Sequence, residues 1–348
     1  MHFKTRLTNW YSIHKRSLPW RQTKNPYYIW LSEIIMQQTQ VKQGSPYYEA
    51  FVSRFPTVFD LADAHEEEVL KLWQGLGYYS RARNLHASAK HIASNLNGIF
   101  PKTYSEIIKL KGVGDYTASA IASICFDEPT AVVDGNVYRV LSRYFGIDTP
   151  INSTEGVKEF KKLATTLIDH EHPGDYNQAL MEFGATQCKP KNPYCLHCPF
   201  NASCEALQKG RIDQLPVKLG KTKVSKKHFN FLVLISPDRT TLFEKRTKKG
   251  IWRNLYQFPL IETKTELAAE DFKQHPKIKA YFEDLPFEHS LYNTKELIHK
   301  LSHQHLHTRF WIIELEALPE QGMPISEVKN LPAPILIGNF IEAFDFTS

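Results

Sequence analysis

Leu110-Lys111-Gly112-Val113-Gly114-Asp115-Tyr116-Thr117-Ala118-Ser119-Ala120-Ile121-Ala122 decides how this chain is read, together with Val133-Asp134-Gly135-Asn136 one helix later. Gly112 and Gly114 let the backbone turn tightly and pass close to a ligand. The small residues after Tyr116 read as a helix whose first amides point outward with the positive end of its dipole, an arrangement that holds a phosphate. A Gly-x-Gly pair alone is as readily a plain turn. Asp134 adds chemistry, because its carboxylate falls where a sugar anchored by that phosphate would lie. Asp134-Gly135-Asn136 ahead of Val137, Val140 and Leu141 is also ordinary helix-capping sequence, and the two readings are compatible.

The chain has 348 residues, enough for two domains with a sizeable core in each, and 42% hydrophobic and 12% aromatic residues fit a globular protein. No apolar run reaches membrane-spanning length, and residues 1–20 lack a signal-peptide core. These features predict a soluble intracellular protein, cytoplasmic or nucleoid-associated in a bacterium, with no membrane partner. A net charge of +6 permits a polyanionic partner without demanding one. Lys218, Lys221, Lys223, Lys226 and Lys227 mark an exposed basic linker at 221–228, which offers a docking segment for repair or replication proteins.

Up to about residue 205 the apolar spacing is helical. The run Tyr27 to Val41 predicts one largely buried helix, and others are expected over 46–55, 80–95, 103–110, 116–125, 137–144, 156–168 and 173–184. After Leu215-Pro216 the character changes. Residues 228–235, 241–246 and 308–315 read as strands, Pro237-Asp238-Arg239 as a hairpin turn, and 266–275 as a helix, giving a separate α+β domain over 229–348.

Four of five cysteines, Cys188, Cys195, Cys198 and Cys204, are spaced C-x6-C-x2-C-x5-C in a proline-rich loop. Thiolates this close point to a metal centre rather than to disulfides. Zinc and a [4Fe-4S] cluster both take four thiolates, and spacing alone does not decide between them. Cys125, among Ala122, Ile124 and Phe126, reads as a buried small hydrophobe.

The Leu110–Gly114 turn with its following aspartate resembles the helix-hairpin-helix base-excision DNA glycosylases. Within them, Trp30-Leu31-Ser32-Glu33 followed by Gln37-Gln38-Thr39-Gln40-Val41 is similar to the signature of adenine DNA glycosylases of the MutY type. The resemblance implies a mainly α catalytic region over 1–220. A six-helix barrel with the hairpin would occupy about 20–132, and an iron-sulfur module 1–19 and 133–220. The x6/x2/x5 cysteine loop looks like the one that holds a [4Fe-4S] cluster in endonuclease III and MutY-type relatives.

The resemblance also implies roles. Glu33, in the middle of an apolar helix, would protonate adenine, since burial raises a carboxyl pKa toward neutrality. Asp134, next to Asn136, would stabilise the oxocarbenium-like sugar, the two-carboxylate logic of glycoside cleavage applied to an N-glycosidic bond. Gly112 and Gly114 would hold a DNA phosphate, Gln38 would line the adenine pocket, and Arg21 would face it. Tyr116 stands where the strand-cutting relatives carry a Schiff-base lysine, so a monofunctional glycosylase is expected. Gln74-Gly75-Leu76-Gly77-Tyr78-Tyr79 looks like the family's wedge, with Leu76 and Tyr78 entering the base stack as the target is flipped.

Residues 229–348 resemble the Nudix-like domain that such enzymes use to read 8-oxoguanine. Gly250 to Pro259 is similar to the Nudix approach segment, but the acidic magnesium-binding pattern is missing, so no pyrophosphate hydrolysis is expected. Leu301-Ser302-His303 sits where the family has Phe-Ser-His, leaving Ser302 and His303 as the expected lesion contacts. His305 and His307 nearby carry no metal reading from sequence. The expected partner is duplex DNA bearing adenine opposite 8-oxoguanine or guanine, bound by a monomer.

Overall fold

A computed structural model describes residues 3–220, 224–283 and 285–346. It divides into two compact units. One comprises residues 1–63 and 83–220; the other comprises 64–82 and 221–348.

The first unit is helical. Asn25 accepts a hydrogen bond from the Tyr27 amide and Pro26 occupies the first helical position, which starts the helix Pro26–Ile35. Its Tyr27, Ile29, Trp30, Leu31, Ile34 and Ile35 are buried on nearly every side. The single helix expected over 27–41 is broken: residues 36–40 form a turn with Gln38 in the left-handed region (φ 55°), and a new helix runs Val41–Arg54. The apolar run ends at Met36, and the polar Gln37-Gln38-Thr39-Gln40 that follow have no core to bury against.

The helix Asp115–Phe126 begins at Gly114 and is buried along most of its length. Before it, the expected helix over 103–110 shrinks to Tyr104–Ile107, started by a Thr103/Glu106 capping box. The chain then turns through Gly112, whose φ is +82°. A Cβ there would come 2.6 Å from the Cβ of Asn84. Gly112→Ala therefore combines left-handed strain with a clash and is expected to cost about 1–3 kcal/mol. A calorimetric melt of the variant checks this.

Helices Gly135–Phe145 and Pro173–Thr186 cross closely, because a Cβ on Gly184 would meet that of Asn136 at 2.6 Å. Asn177 fastens the preceding segment: its amide donates to Ser123 Oγ and Thr130 O (both 2.9 Å), and its oxygen accepts from the Val132 amide (3.2 Å). Asp134 is thereby delivered to the start of its helix by a chain path pinned at both ends.

The second unit is built on a mixed five-stranded sheet. Its strands are β1 (Ser225–Ile235), β2 (Leu260–Thr263), β3 (Glu288–Leu291), β4 (Leu297–Lys300) and β5 (Gln304–Glu314). β1 and β5 run parallel over their full length, β2 flanks β1, and β3 and β4 pair antiparallel with successive parts of β5. The buried halves of β1 and β5 supply Leu232, Leu234, Trp311 and Ile313 to a core completed by Phe272, Ile278 and Phe282.

Several expectations change here. Residues 225–228, taken as linker, are the first part of β1, paired with Gln304 to His307; 221–223 lie outside the described residues. The strand over 241–246 is two short pieces, and Thr240–Thr241 pairs with Met323–Pro324; the expected turn at Pro237-Asp238-Arg239 is present, closed by Ser236 N donating to Thr240 O at 3.2 Å. The helix placed at 266–275 lies instead at Pro276–Phe282, where His275 caps the Lys277 amide. Pro276 disfavours helical backbone at the residue before it and suits a first helical position, so the helix starts there.

Residues 64–82, expected within the catalytic region, pack into this second unit. Tyr256 Oη and Lys245 Nζ bond to Glu67 Oε1 at 2.7 and 2.9 Å, Asn254 bonds to Glu66 at 2.6 Å, and Lys71 Nζ donates to Lys329 O at 2.7 Å.

Candidate active site

Glu33 is the half-buried carboxyl on an otherwise core-facing helix. Burial lifts its pKa to about 7; a hydrogen bond from Tyr116 and the charge of Arg21 oppose the shift, and Asp134 adds to it. Tyr116 Oη also lies 3.2 Å from Met181 Sδ, and burial with Glu33 and Asp134 nearby holds the phenol well above its usual pKa. The charges of the two carboxyls, 101 positions apart, thus both reach one half-buried tyrosine.

Asp134 caps its helix: Oδ1 accepts from the Asn136 and Val137 amides at 2.9 and 2.8 Å, and Oδ2 accepts from Asn136 Nδ2 at 2.8 Å. Burial raises its pKa, and these hydrogen bonds with the charge of Arg139 partly offset that. The helix-capping reading of Asp134 is the one these bonds show. Asn136 is tied in turn to Arg139, whose guanidinium also reaches Gly184 O (2.6 Å) and Cys188 O (2.8 Å).

The remaining expected residues are placed as follows. Arg21 does not stand free: its Nη2 donates to Glu182 at 2.7 Å, where Arg16 also makes two 2.7 Å bonds. Despite complete burial of its side chain, Glu182 is held down at about 2 by these guanidinium bonds, which outweigh desolvation. Gln38 is exposed, and its neighbour Gln37 donates to Thr117 Oγ1 at 3.1 Å. At Gly114 a Cβ would meet nothing, so the N-terminus of the Asp115–Phe126 helix is open to a ligand. Asp115 in that first turn is paired with Lys161 Nζ at 2.9 Å and accepts from Tyr104 Oη.

Within the second unit Gly75, Gly77 and Tyr78 all have positive φ, and Tyr78 is 48% exposed. Leu76 is only 6% exposed, which leaves Tyr78 as the apolar side chain presented by that turn. Ser302 and His303 are exposed at the β4–β5 turn, closed by Leu301 N donating to Gln304 O at 2.8 Å.

Cys188, Cys195, Cys198 and Cys204 line one pocket with Arg143, Phe183 and Phe200, and none is in a disulfide. Arg143 bonds Lys189 O and Pro190 O and comes 3.5 Å from Cys188 Sγ. Burial pushes the Cys198 thiol up to about 12 and raises Cys195 and Cys204 as well, so several bare thiolates together are unfavourable here. Four soft donors around one apolar pocket beside a guanidinium fit a four-thiolate metal centre whose cations offset that charge. Lys189, in the same loop, sits over the Tyr194 ring at 3.9 Å. Cys125 is half-buried rather than fully buried and feels the charge of Glu33.

Sequence reasoning did not single out Glu182, Arg139 or Asn177. Glu182 was within reach, as a lone acid in the apolar Ala179-Leu180-Met181-Glu182-Phe183 run; the other two matter only through contacts across the fold.

Residues 31–165 match the HhH-GPD superfamily of base excision DNA repair proteins, and residues 230–343 match the NUDIX domain. An adenine DNA glycosylase of Buchnera aphidicola subsp. Baizongia pistaciae is 37% identical over 313 residues, covering 89% of this chain and 86% of that protein. The chain belongs to the adenine DNA glycosylase family. A human adenine DNA glycosylase is 45% identical over 222 residues, spanning 61% of this chain but 41% of its own length. Among solved structures, a thermostable thymine-DNA glycosylase aligns with a TM-score of 0.55 and 30% identity, covering 60% of this chain and 95% of its own. An endonuclease III–DNA complex (TM-score 0.52, 23% identity) shares the fold, covering 60% of this chain and 99% of its own. As in that family, a helical glycosylase region is followed by a Nudix-like α+β domain. Among the described residues no helix is long and apolar enough to cross a membrane.

Proposed function

We infer that this chain hydrolyses the N-glycosidic bond of adenine lying opposite 8-oxoguanine or guanine in duplex DNA. The observation that carries the reading is Glu33, a carboxyl with a pKa near 7 that shares Tyr116 with a second carboxylate at Asp134. A near-neutral pKa leaves a substantial fraction of Glu33 protonated at physiological pH, ready to donate.

With the adenine flipped out of the stack, Glu33 gives its proton to N7 and the C1′–N9 bond breaks, its electron pair passing to the base. Positive charge develops on the sugar, and Asp134 stabilises it. Asp134 is already fixed by three hydrogen bonds, so little reorganisation accompanies the reaction. Glu33, now a carboxylate, takes a proton from the water that attacks C1′ and is restored. Tyr116 bonds Glu33 and offers no amine for a Schiff base, so strand cutting is not part of the reaction.

The open amides after Gly114 receive a DNA phosphate. Tyr78 is the wedge, and inserting its ring offsets part of the few kcal/mol of unstacking. Ser302 and His303 read the base opposite. Cys188, Cys195, Cys198 and Cys204 would hold a [4Fe-4S] cluster, which would close the loop around the metal; no step of base removal passes through it. Repair or replication proteins would bind the basic segment at 221–228.

Single-turnover excision on duplexes that differ only in the base opposite adenine tests the reading. Fast release opposite 8-oxoguanine and guanine, slow release opposite thymine, and no borohydride-trapped adduct are expected. Excision of oxidised pyrimidines with strand nicking would assign the chain to the lyase class instead.

A further inference from the structure

We propose that His228, Glu296 and His307 form a divalent-cation site, of the zinc class, at the base of the β4–β5 hairpin. The three residues come from separate segments, and pairing in the sheet brings them together. β1 and β5 are parallel with His228 directly opposite His307, so both imidazoles leave the same face, their ring centroids 5.0 Å apart. β4 pairs with β5 so that Ile298 faces His307, which makes Glu296, two residues earlier, a diagonal neighbour. Its Oε1 lies 2.8 Å from His228 Nδ1 and its Oε2 lies 2.8 Å from His307 Nδ1.

The donor atoms all fall within 4.8 Å of one another. Zinc holds imidazole nitrogen and carboxylate oxygen at about 2.0–2.2 Å, so the most widely separated donors must close by up to about 1.4 Å, within the reach of side-chain rotation. Two imidazoles and one carboxylate are a ligand set zinc accepts with water in the fourth position, and imidazole selects zinc-like ions over magnesium or calcium. The side chains are 14–16% exposed, shielded from bulk solvent yet reachable by an ion. His305, the more obvious sequence partner of His307, takes no part; it stands across from Lys226 and Lys300.

The ion would staple the start of β1 to the hairpin whose turn carries Ser302 and His303. That turn is otherwise held by few bonds, Leu301 N to Gln304 O at 2.8 Å and Ser225 N to His303 O at 3.1 Å among them. The proposal is independent of the role assigned to those two residues. Without an ion, the same three groups would be a hydrogen-bonded triad, which is the alternative the experiment separates.

The test compares the full-length protein with His228→Ala/His307→Ala, Glu296→Gln and His305→Ala. Each is loaded with zinc, dialysed and measured for zinc and iron by mass spectrometry, with zinc affinity measured by chelator competition. The parent and His305→Ala are expected to keep one zinc more than the double variant at equal iron. Glu296→Gln, a near-isosteric change that keeps the fold, should weaken zinc binding by about 100-fold or more. Zinc should raise the melting temperature of the parent and not of Glu296→Gln. Equal zinc content in the parent and double variant, or unchanged affinity in Glu296→Gln, overturns the proposal in favour of the ion-free triad.

Discussion

Glu33→Gln is expected to lose adenine excision by about 10²–10⁴-fold in single-turnover assays, because it removes the proton donor while keeping the shape of the side chain. It is also expected to melt at a higher temperature than the parent at pH 8. The folded-state pKa of Glu33 is raised from 4.5 to about 7, so the fold favours its neutral form. That contribution is complete below the unfolded pKa and is lost as pH rises from about 4.5 through 7. At roughly 1.4 kcal/mol per pKa unit the loss is on the order of 3 kcal/mol, and glutamine avoids it. Melts of both proteins at pH 4 and pH 8 check the sign: the difference should appear only at pH 8. The same ionisation makes parent excision decline above about pH 7, where the donor is spent. An equally active Glu33→Gln protein would sink the mechanism.

The second large effect is expected at Asp134, where two functions can be pulled apart. Asp134→Asn keeps an oxygen to accept from the Asn136 and Val137 amides, so the helix cap survives, but it removes the negative charge proposed to stabilise the sugar. Excision should fall by about 10²–10³-fold, and the stability lost is that of the Asn136 Nδ2 bond alone, which the new amide cannot accept. Asp134→Ala should match that loss of activity and also lose about 1 kcal/mol of stability. If Asn restores nearly full activity, Asp134 is a cap and nothing more.

The pairing of Glu33 with Tyr116 and Asp134 shows how far the chain could be read before its structure. The type of each residue and its local element were legible. Glu33 interrupts an apolar helical run, Gly112 and Gly114 mark a turn in which Gly112 takes the glycine-favoured φ of +82°, and Asp134 precedes an apolar periodicity as caps do. These are local signals, fixed by side-chain size, backbone freedom and spacing. The break after Ile35 was less legible, because helix period continues into the glutamines while burial does not. The helix at Pro276 was missed for the opposite reason: a proline start was outweighed by a weak pattern before it.

Sequence by itself determined the two-part α then α+β character, the glycine hairpin, the clustered thiols and the identity of both candidate carboxyls, since each depends on residues near one another in the chain. Only the tertiary structure decided that Arg21 is held by a buried Glu182, that residues 64–82 pack with the second unit, that Leu76 is buried while Tyr78 is exposed, and that His307 meets His228 and Glu296 rather than His305. The physical reason is common to all four. Desolvation, ion pairing and cross-strand register are properties of the space between distant segments, and no short window of sequence contains it.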